Sequence, residues 1–385
     1  MAINYDGPIP VTGAWQEGDQ AGNRKFIDLG SIDLELGGSL PKVRVAYETY
    51  GKLNSNATNA IFIEHALTGD SHVSGLDVPG HLSRGWWDDL VGEGKVIDTN
   101  EWFVVCANVL GGCQGTTGPS SKDESGKPWG SRFPRITVSD QVEIEKRLTD
   151  SLEIETWASI VGGSMGGMRV LEWAVEHPQK LRSAFVIASA PGSSADQTAT
   201  QNAQIAAIKA DHKFRGGDYY YAKPGDGPHA GLGIARKFAH LTYRSETELD
   251  VRFGRDNQDG EDPYSDGRFA IDSYLDHHAE KLARRFDANS YIVLSDSIST
   301  FDIGRNRGGV AAALSKITAP IIVAGIDTDR LYPLRQQADL AAALPIKHEL
   351  HVINSPFGHD GFLIETDQVA PAVIRVLDLA SEKIK

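Results

Sequence analysis

The chain has 385 residues, 41% of them hydrophobic and 23% charged, with a formal net charge of −14. That length and apolar content allow one large domain or two small ones around a sizeable core, and exclude global disorder. The acidic balance argues against nucleic acid and anionic membranes as partners, and two cysteines, Cys106 and Cys113, are too few for a disulfide scaffold or a four-thiolate zinc site.

The N-terminal stretch "MAINYDGPIPVTGAW" lacks a basic patch followed by an apolar run, so no secretory signal is expected. No segment is apolar for long enough to span a bilayer, and a soluble, cytoplasmic protein is expected. "KVRVAYETYGKLN" alternates apolar and polar residues and predicts an antiparallel edge strand with one solvated face. Short continuous apolar runs follow: "NAIFIEHAL", "EWFVVCANVLGG", "WASIVGGS", "SAFVIASAPG", "APIIVAGIDTD" and "HELHVINSPFGHDG". Such runs suit strands buried on both faces. Cys106 falls inside the second and is expected to be a small core residue; Cys113 lies just past it, beside a possible pocket. Helical patterns lie between several runs, as in "VSDQVEIEKRLTDSL", "MRVLEWAVEHPQKL" and "LRQQADLAAALP". The alternation predicts an α/β fold with a mostly parallel central sheet flanked by helices.

The rhythm breaks between residues 193 and 316, where strand-like runs give way to "ATQNAQIAAIKA", "GLGIARKFAHLTYRS", "SYLDHHAEKLARRFD" and "ANSYIVLSDSISTFD". A helical insertion is expected there, folded as a lid over the C-terminal edge of the sheet. The core domain is then 1–192 and 317–385, and the lid is 193–316.

In "ASIVGGSMGGMRVLEWA", a buried strand meets a helix at Ser164, with Gly162 and Gly166 on either side. A serine on so sharp a bend is a nucleophile elbow: the glycines remove side chains that would collide, and the bend lifts the hydroxyl above the sheet edge. The helix N-terminus behind it points unsatisfied amides at the same spot. G-x-S-x-G arises by chance in a chain with 40 glycines, so its placement between strand and helix carries the reading. A serine hydroxyl needs a base. In the chain order serine, acid, histidine, His359 in "FGHDG" is the leading base, read as lying in a mobile, exposed turn. Asp327 and Asp329, both just past "PIIVAG", compete for the acid. The oxyanion hole is expected to use the amide of Met165 and one from the loop "EHALTGDSH".

Six blocks, in order, resemble the homoserine O-acetyltransferase family on the α/β-hydrolase fold: "HALTGDSHVSG", "NVLGGCQGTTGPSS", "VGGSMGGMRVLEWA", "ARKFAHLTYRS", "DTDRLYPLRQQ" and "FGHDGFL". The likeness runs along nearly the whole chain. It implies acetylation of Ser164 by acetyl-CoA as co-substrate, with no permanently bound cofactor. The γ-hydroxyl of L-homoserine then attacks in a ping-pong cycle that serves methionine biosynthesis. It selects Asp329 over Asp327, assigns the second oxyanion amide to Leu67, and implies that Arg236 holds the homoserine carboxylate and Asp360 its ammonium. Tyr243, seven residues beyond Arg236, falls about two helical turns along the same face and can line the same pocket. The resemblance also implies a homodimer formed through the lid helices. Lys209, Lys213, Arg215 and Lys223 remain equal candidates for CoA phosphate contacts. A succinyl donor, a serine acceptor or a plain serine esterase are alternatives on the same scaffold. No metal site is expected, because the histidines do not fall in ligand spacings; His277 and His278 diverge by about 100° on a helix.

Overall fold

A computed structural model describes residues 5–382. Met1–Asn4 of the stretch read for a signal sequence, and the last three residues of the 317–385 segment, lie outside the described residues.

Eight strands form the main sheet: β1 (Lys25–Asp28), β2 (Arg44–Tyr50), β3 (Ala60–Glu64), β4 (Phe103–Ala107), β5 (Trp157–Gly163), β6 (Leu181–Ile187), β7 (Ile321–Ile326) and β8 (His351–Ile353). Their spatial order is β1-β2-β4-β3-β5-β6-β7-β8. The six strands from β4 to β8 run parallel, while β2 pairs antiparallel with both β1 and β4. The alternating segment is thus antiparallel as expected, but it is not the edge. Lys25–Asp28 covers it, so the face read as solvated is only half-exposed. The run "RKFID" is too short for its period to stand out beside the longer strands.

Strands β3, β5 and β7 are buried along their whole length because both faces are covered. Phe62, Ile160, Val186 and Val323 point into one apolar layer with α1 (Val138–Ser151) and α2 (Met165–Glu176). Their neighbours Ile61, Ile63, Val161, Phe185 and Ile322 point into the other, against Val369, Val373 and Val376. The period-2 pleat sends successive side chains to opposite faces, so a strand buried on both sides reads as a continuous apolar run. Helix α1 starts sharply because Thr137 and Asp140 form a reciprocal capping box.

Between β6 and β7 the described residues form helices α3 (Ala195–Ala210), α4 (His229–Tyr243), α5 (Glu246–Phe253), α6 (Ala270–Ala283), α7 (Ala288–Ser299) and α8 (Val310–Leu314), with short 3₁₀ turns. Helix α4 packs between α3 and α6, and α3 also meets α7. Helix α9 (Leu334–Ala343) follows β7. After β8, Gly358–Asp360 makes one 3₁₀ turn, and α10 (Gly361–Ile364) and α11 (Thr366–Glu382) close the chain. Among the described residues, no helix is long and apolar enough to cross a membrane.

Candidate active site

Ser164 joins β5 to α2 at φ 56° and ψ −125°, a region that L-residues rarely occupy. The bend is held from three sides. The Ser164 amide donates to the Ile187 carbonyl (3.0 Å), its carbonyl accepts from the Ser189 hydroxyl (2.8 Å), and α2 begins at once. A Cβ at position 166 would lie 2.1 Å from the Glu64 carbonyl oxygen, and one at 162 would lie 2.6 Å from the Gly166 backbone. Both flanking glycines are therefore required by close backbone approach.

Beneath the elbow lies a charge cluster that no motif announces. Arg169, fully buried on α2, has Nη1 2.6 Å from both Glu64 and Glu145, and donates from Nη2 to the His65 carbonyl (2.5 Å). Trp173 Nε1 also donates to Glu145 (3.1 Å). Burial pushes the Glu64 carboxyl well above the usual range; Arg169 offsets part of this, and Glu145 adds to it. The cluster ties the elbow helix to β3, α1 and the loop after β3. Removing one partner of such a buried set typically costs about 3–5 kcal/mol, because the remaining charge is left uncompensated.

His359 Nε2 lies 2.9 Å from Ser164 Oγ, and its Nδ1 lies 2.7 Å from Asp329 Oδ2. Asp329 is anchored by its other oxygen, which accepts from the Leu331 and Tyr332 amides at 2.8 and 2.9 Å. Asp327 instead accepts from the Ser355 amide (3.0 Å) and stays exposed. The fold thus brings Ser164, His359 and Asp329 into one line and leaves Asp327 outside it. The reading of His359 as exposed is corrected: it is 3% exposed, enclosed by Tyr243, Tyr332 and Phe362 with ring centroids 5.4–5.7 Å away. The C-terminal end of α4, laid against the turn, contributes to this. A Cβ on Gly358 would lie 2.6 Å from the Tyr243 carbonyl, and Arg244 sits over the Phe357 ring at 4.9 Å. Burial lowers the pKa of the His359 imidazole, but the charge and hydrogen bond of Asp329, with Asp360 adding, outweigh burial and raise it above the ordinary histidine value. The site can therefore strip a proton from Ser164 and hold it on His359.

Met165 is the first residue of α2, so its amide has no intrahelical acceptor. Leu67 is buried in the loop after β3, which is fixed on both sides. Arg169 holds the His65 carbonyl, His65 Nε2 accepts from the Val109 amide (3.1 Å), and Arg285, just after α6, donates to the Thr68 carbonyl (2.9 Å). Burial, with the Arg169 charge adding, pushes the His65 ring down to about 3 and keeps it neutral.

Arg236 and Asp360 line one cavity of about 210 Å³, together with His240, His278, Lys281 and Arg285. The Arg236 guanidinium lies 5.4 Å from the Tyr243 ring, and that ring lies 5.7 Å from His359. The three residues are thus contiguous with the serine line. Asp360 precedes α10 but makes no capping bond; Arg244 approaches it at 3.5 Å. Of the four cations left open for CoA, Lys213 and Arg215 pair with Asp226 at 3.4 and 2.5 Å, and none of the four lines this cavity.

Sequence spacing also missed a buried triad of Glu48, His72 and His81, whose potential ligand atoms lie within 4.8 Å of one another. His72 donates from Nδ1 to Glu48 (3.1 Å) and from Nε2 to the Leu76 carbonyl (3.0 Å), so it carries both protons. His81 Nε2 accepts from the Asn23 amide (3.0 Å), and the two rings stack at 3.9 Å. His72 and Glu48 thus form an internal ion pair bracing the loop after β3, with His81 Nδ1 left buried and unpartnered. The 24-residue gap between Glu48 and His72 hides it from any motif. Cys106 is fully buried and Cys113 nearly so; burial raises the Cys113 thiol to about 12 and keeps it protonated.

A family model described as the alpha/beta hydrolase fold matches residues 59–366. A homoserine O-acetyltransferase from Thermobifida fusca is 55% identical over 98% of this chain and 100% of its own length. The solved homoserine O-acetyltransferase from Bacillus anthracis superposes with a TM-score of 0.85 at 26% identity, covering 92% of this chain and 97% of the other. An acetylester hydrolase from Corynebacterium glutamicum superposes at 0.76 with 25% identity, over 94% and 97% of the two chains. With relatives of this identity matching end to end, and the serine elbow in its place, the chain belongs to the homoserine O-acetyltransferase family of the α/β-hydrolase fold.

Proposed function

We propose that this enzyme transfers an acetyl group from acetyl-CoA to the γ-hydroxyl of L-homoserine, with Ser164 as nucleophile, His359 as base and then acid, and Asp329 as its orienting carboxylate. In the first half-reaction Ser164 Oγ bonds to the acetyl carbon while His359 takes its proton. The thioester C–S bond then breaks, and CoA leaves as the thiol with that proton. In the second, the homoserine hydroxyl gives its proton to His359 and attacks the acetyl carbon; the bond to Ser164 breaks and the serine recovers its proton. The amides of Leu67 and Met165 receive the oxyanion in both. Arg236 takes the acceptor's carboxylate, Asp360 its ammonium, and Tyr243 lines the space between. The carrying observation is the unbroken line Ser164–His359–Asp329, linked through the Tyr243 ring to Arg236, which shares a cavity with the carboxylate of Asp360. Paired opposite charges suit an amino acid and have no task in cleaving a neutral ester.

The likeness to an acetylester hydrolase makes hydrolysis the second reading. Incubation with acetyl-CoA, with and without L-homoserine, separates them. Transfer gives O-acetylhomoserine, and sustained CoA release only when homoserine is present; acetate formed at the same rate without it would establish the hydrolase instead. The lid supports this choice, since a transferase must keep water from the acyl-enzyme until the acceptor arrives.

Residues 193–316 serve as that lid. They also suit the dimer contact, because Ile234, Phe238 and Leu241 are exposed along one face of α4. A monomeric mass by light scattering at micromolar concentration would remove the dimer. A cytoplasmic location fits the two buried free thiols.

A further inference from the structure

The cavity beside Asp360 carries more positive charge than the proposed reaction has so far used. The cations Arg236, Lys281 and Arg285 line it, with the neutral rings of His240 and His278, against the single acid Asp360. Asp360 has Arg244 3.5 Å away, and Arg285 is matched by Asp70 at 3.4 Å. Lys281 has no ion pair or hydrogen bond with any described residue. Arg236 has buried, unpartnered Nε and Nη1. His240 is 3% exposed, and both of its ring nitrogens are buried without a hydrogen-bond partner. Its ring lies 4.0 Å from that of His278. Buried polar atoms are normally paired, so a cluster of orphans around a cavity marks a ligand site.

Resting on the reading of homoserine as acceptor, we propose that Lys281 is a second carboxylate-binding residue, sharing the α-carboxylate with Arg236 against the His240–His278 wall. An anion with two oxygens can meet a guanidinium and an ammonium at once, and an acid that enters here relieves the repulsion among the cations. The imidazoles are neutral. Burial first, then Arg236 and the neighbouring histidine and lysine charges, push His278 down to about 3. Lys281 is itself lowered by burial and by Arg285 and Arg236, which fits an ammonium awaiting a counter-charge.

The test uses the full-length enzyme with Lys281→Met and Lys281→Arg. Lys281→Met is expected to raise KM for L-homoserine roughly ten- to hundredfold, the usual effect of losing a charged hydrogen bond. Its kcat and its KM for acetyl-CoA should stay within about threefold of the wild-type values. Lys281→Arg should restore most of the loss. The rate of Ser164 acetylation by acetyl-CoA alone, followed by mass spectrometry, should be unchanged in both. An unchanged homoserine KM, a rise confined to the KM for acetyl-CoA, or slower acetylation of Ser164 would each overturn the assignment. A wild-type enzyme that acetylates Ser164 yet never passes the group to homoserine would instead overturn the acceptor reading, and this inference with it.

Discussion

Ser164→Ala is expected to lower acetyl transfer to homoserine by roughly 10⁴–10⁶-fold, read as CoA release at saturating substrates. The substitution removes one oxygen and leaves the backbone bend in place, because the bend is held by the Ile187 carbonyl, the Ser189 hydroxyl and the helix that starts at Met165. Circular dichroism and the melting temperature should therefore stay close to those of the wild type. Without Oγ there is no atom 2.9 Å from His359 to become the acyl carrier, so direct attack by homoserine on acetyl-CoA would be the only remaining route. No acetylated active-site peptide should form. A variant that keeps more than about one hundredth of the wild-type rate, far above the residual activity expected without a nucleophile, would show that the acetyl group does not pass through this serine.

The second large effect concerns the partner behind the base. Asp329→Asn is expected to reduce kcat by about 10⁴-fold with the fold intact, and the reason is a tautomer. Oδ1 of Asp329 accepts two backbone amides, from Leu331 and Tyr332, so in the variant the amide oxygen takes that place. The new NH₂ then faces His359 Nδ1, where Oδ2 now stands at 2.7 Å. A donor there makes Nδ1 an acceptor and puts the ring proton on Nε2, the nitrogen that must receive the proton of Ser164. The pH profile carries a second signature. The ring works as a base only when neutral, and in the wild type its pKa lies above the ordinary histidine value, because Asp329 outweighs burial. Wild-type kcat/KM should therefore fall as pH drops through a point above about 6.5. With the carboxylate charge gone, burial still lowers the pKa, so the acid limb of the residual activity should move to lower pH. A limb that stays in place, or moves up, would mean that another group governs it.

The two residues behind these predictions were legible to different degrees. Ser164 stands out because its signals are local: an apolar strand, two glycines and a helix fall within a dozen residues, and each reports a backbone constraint beside it. His359 was located by chain order, but its environment was misread, since a glycine-rich turn looks exposed until helix α4 is laid against it. Asp327 and Asp329 are alike by composition and flank; the family resemblance chose between them, and the backbone after β7 shows why. It turns Asp329 inward onto the amides of Leu331 and Tyr332 while Asp327 faces solvent.

From the amino acids alone, then, came the order of the longer strands and of the helices between them, the place where the sheet is interrupted by helices, and the elbow serine, because hydrophobic period and steric need are properties of neighbouring residues. The folded chain alone decided which strand covers β2, which charges share the space beneath the elbow, and which cations surround the cavity beside Asp360. Arg169 meets Glu64 and Glu145, and His359 meets a serine 195 residues earlier, only because the sheet sets their strands and helices side by side. Contacts across such distances leave no period in the sequence; they arise from packing, which also sets the burial that tunes each group's charge.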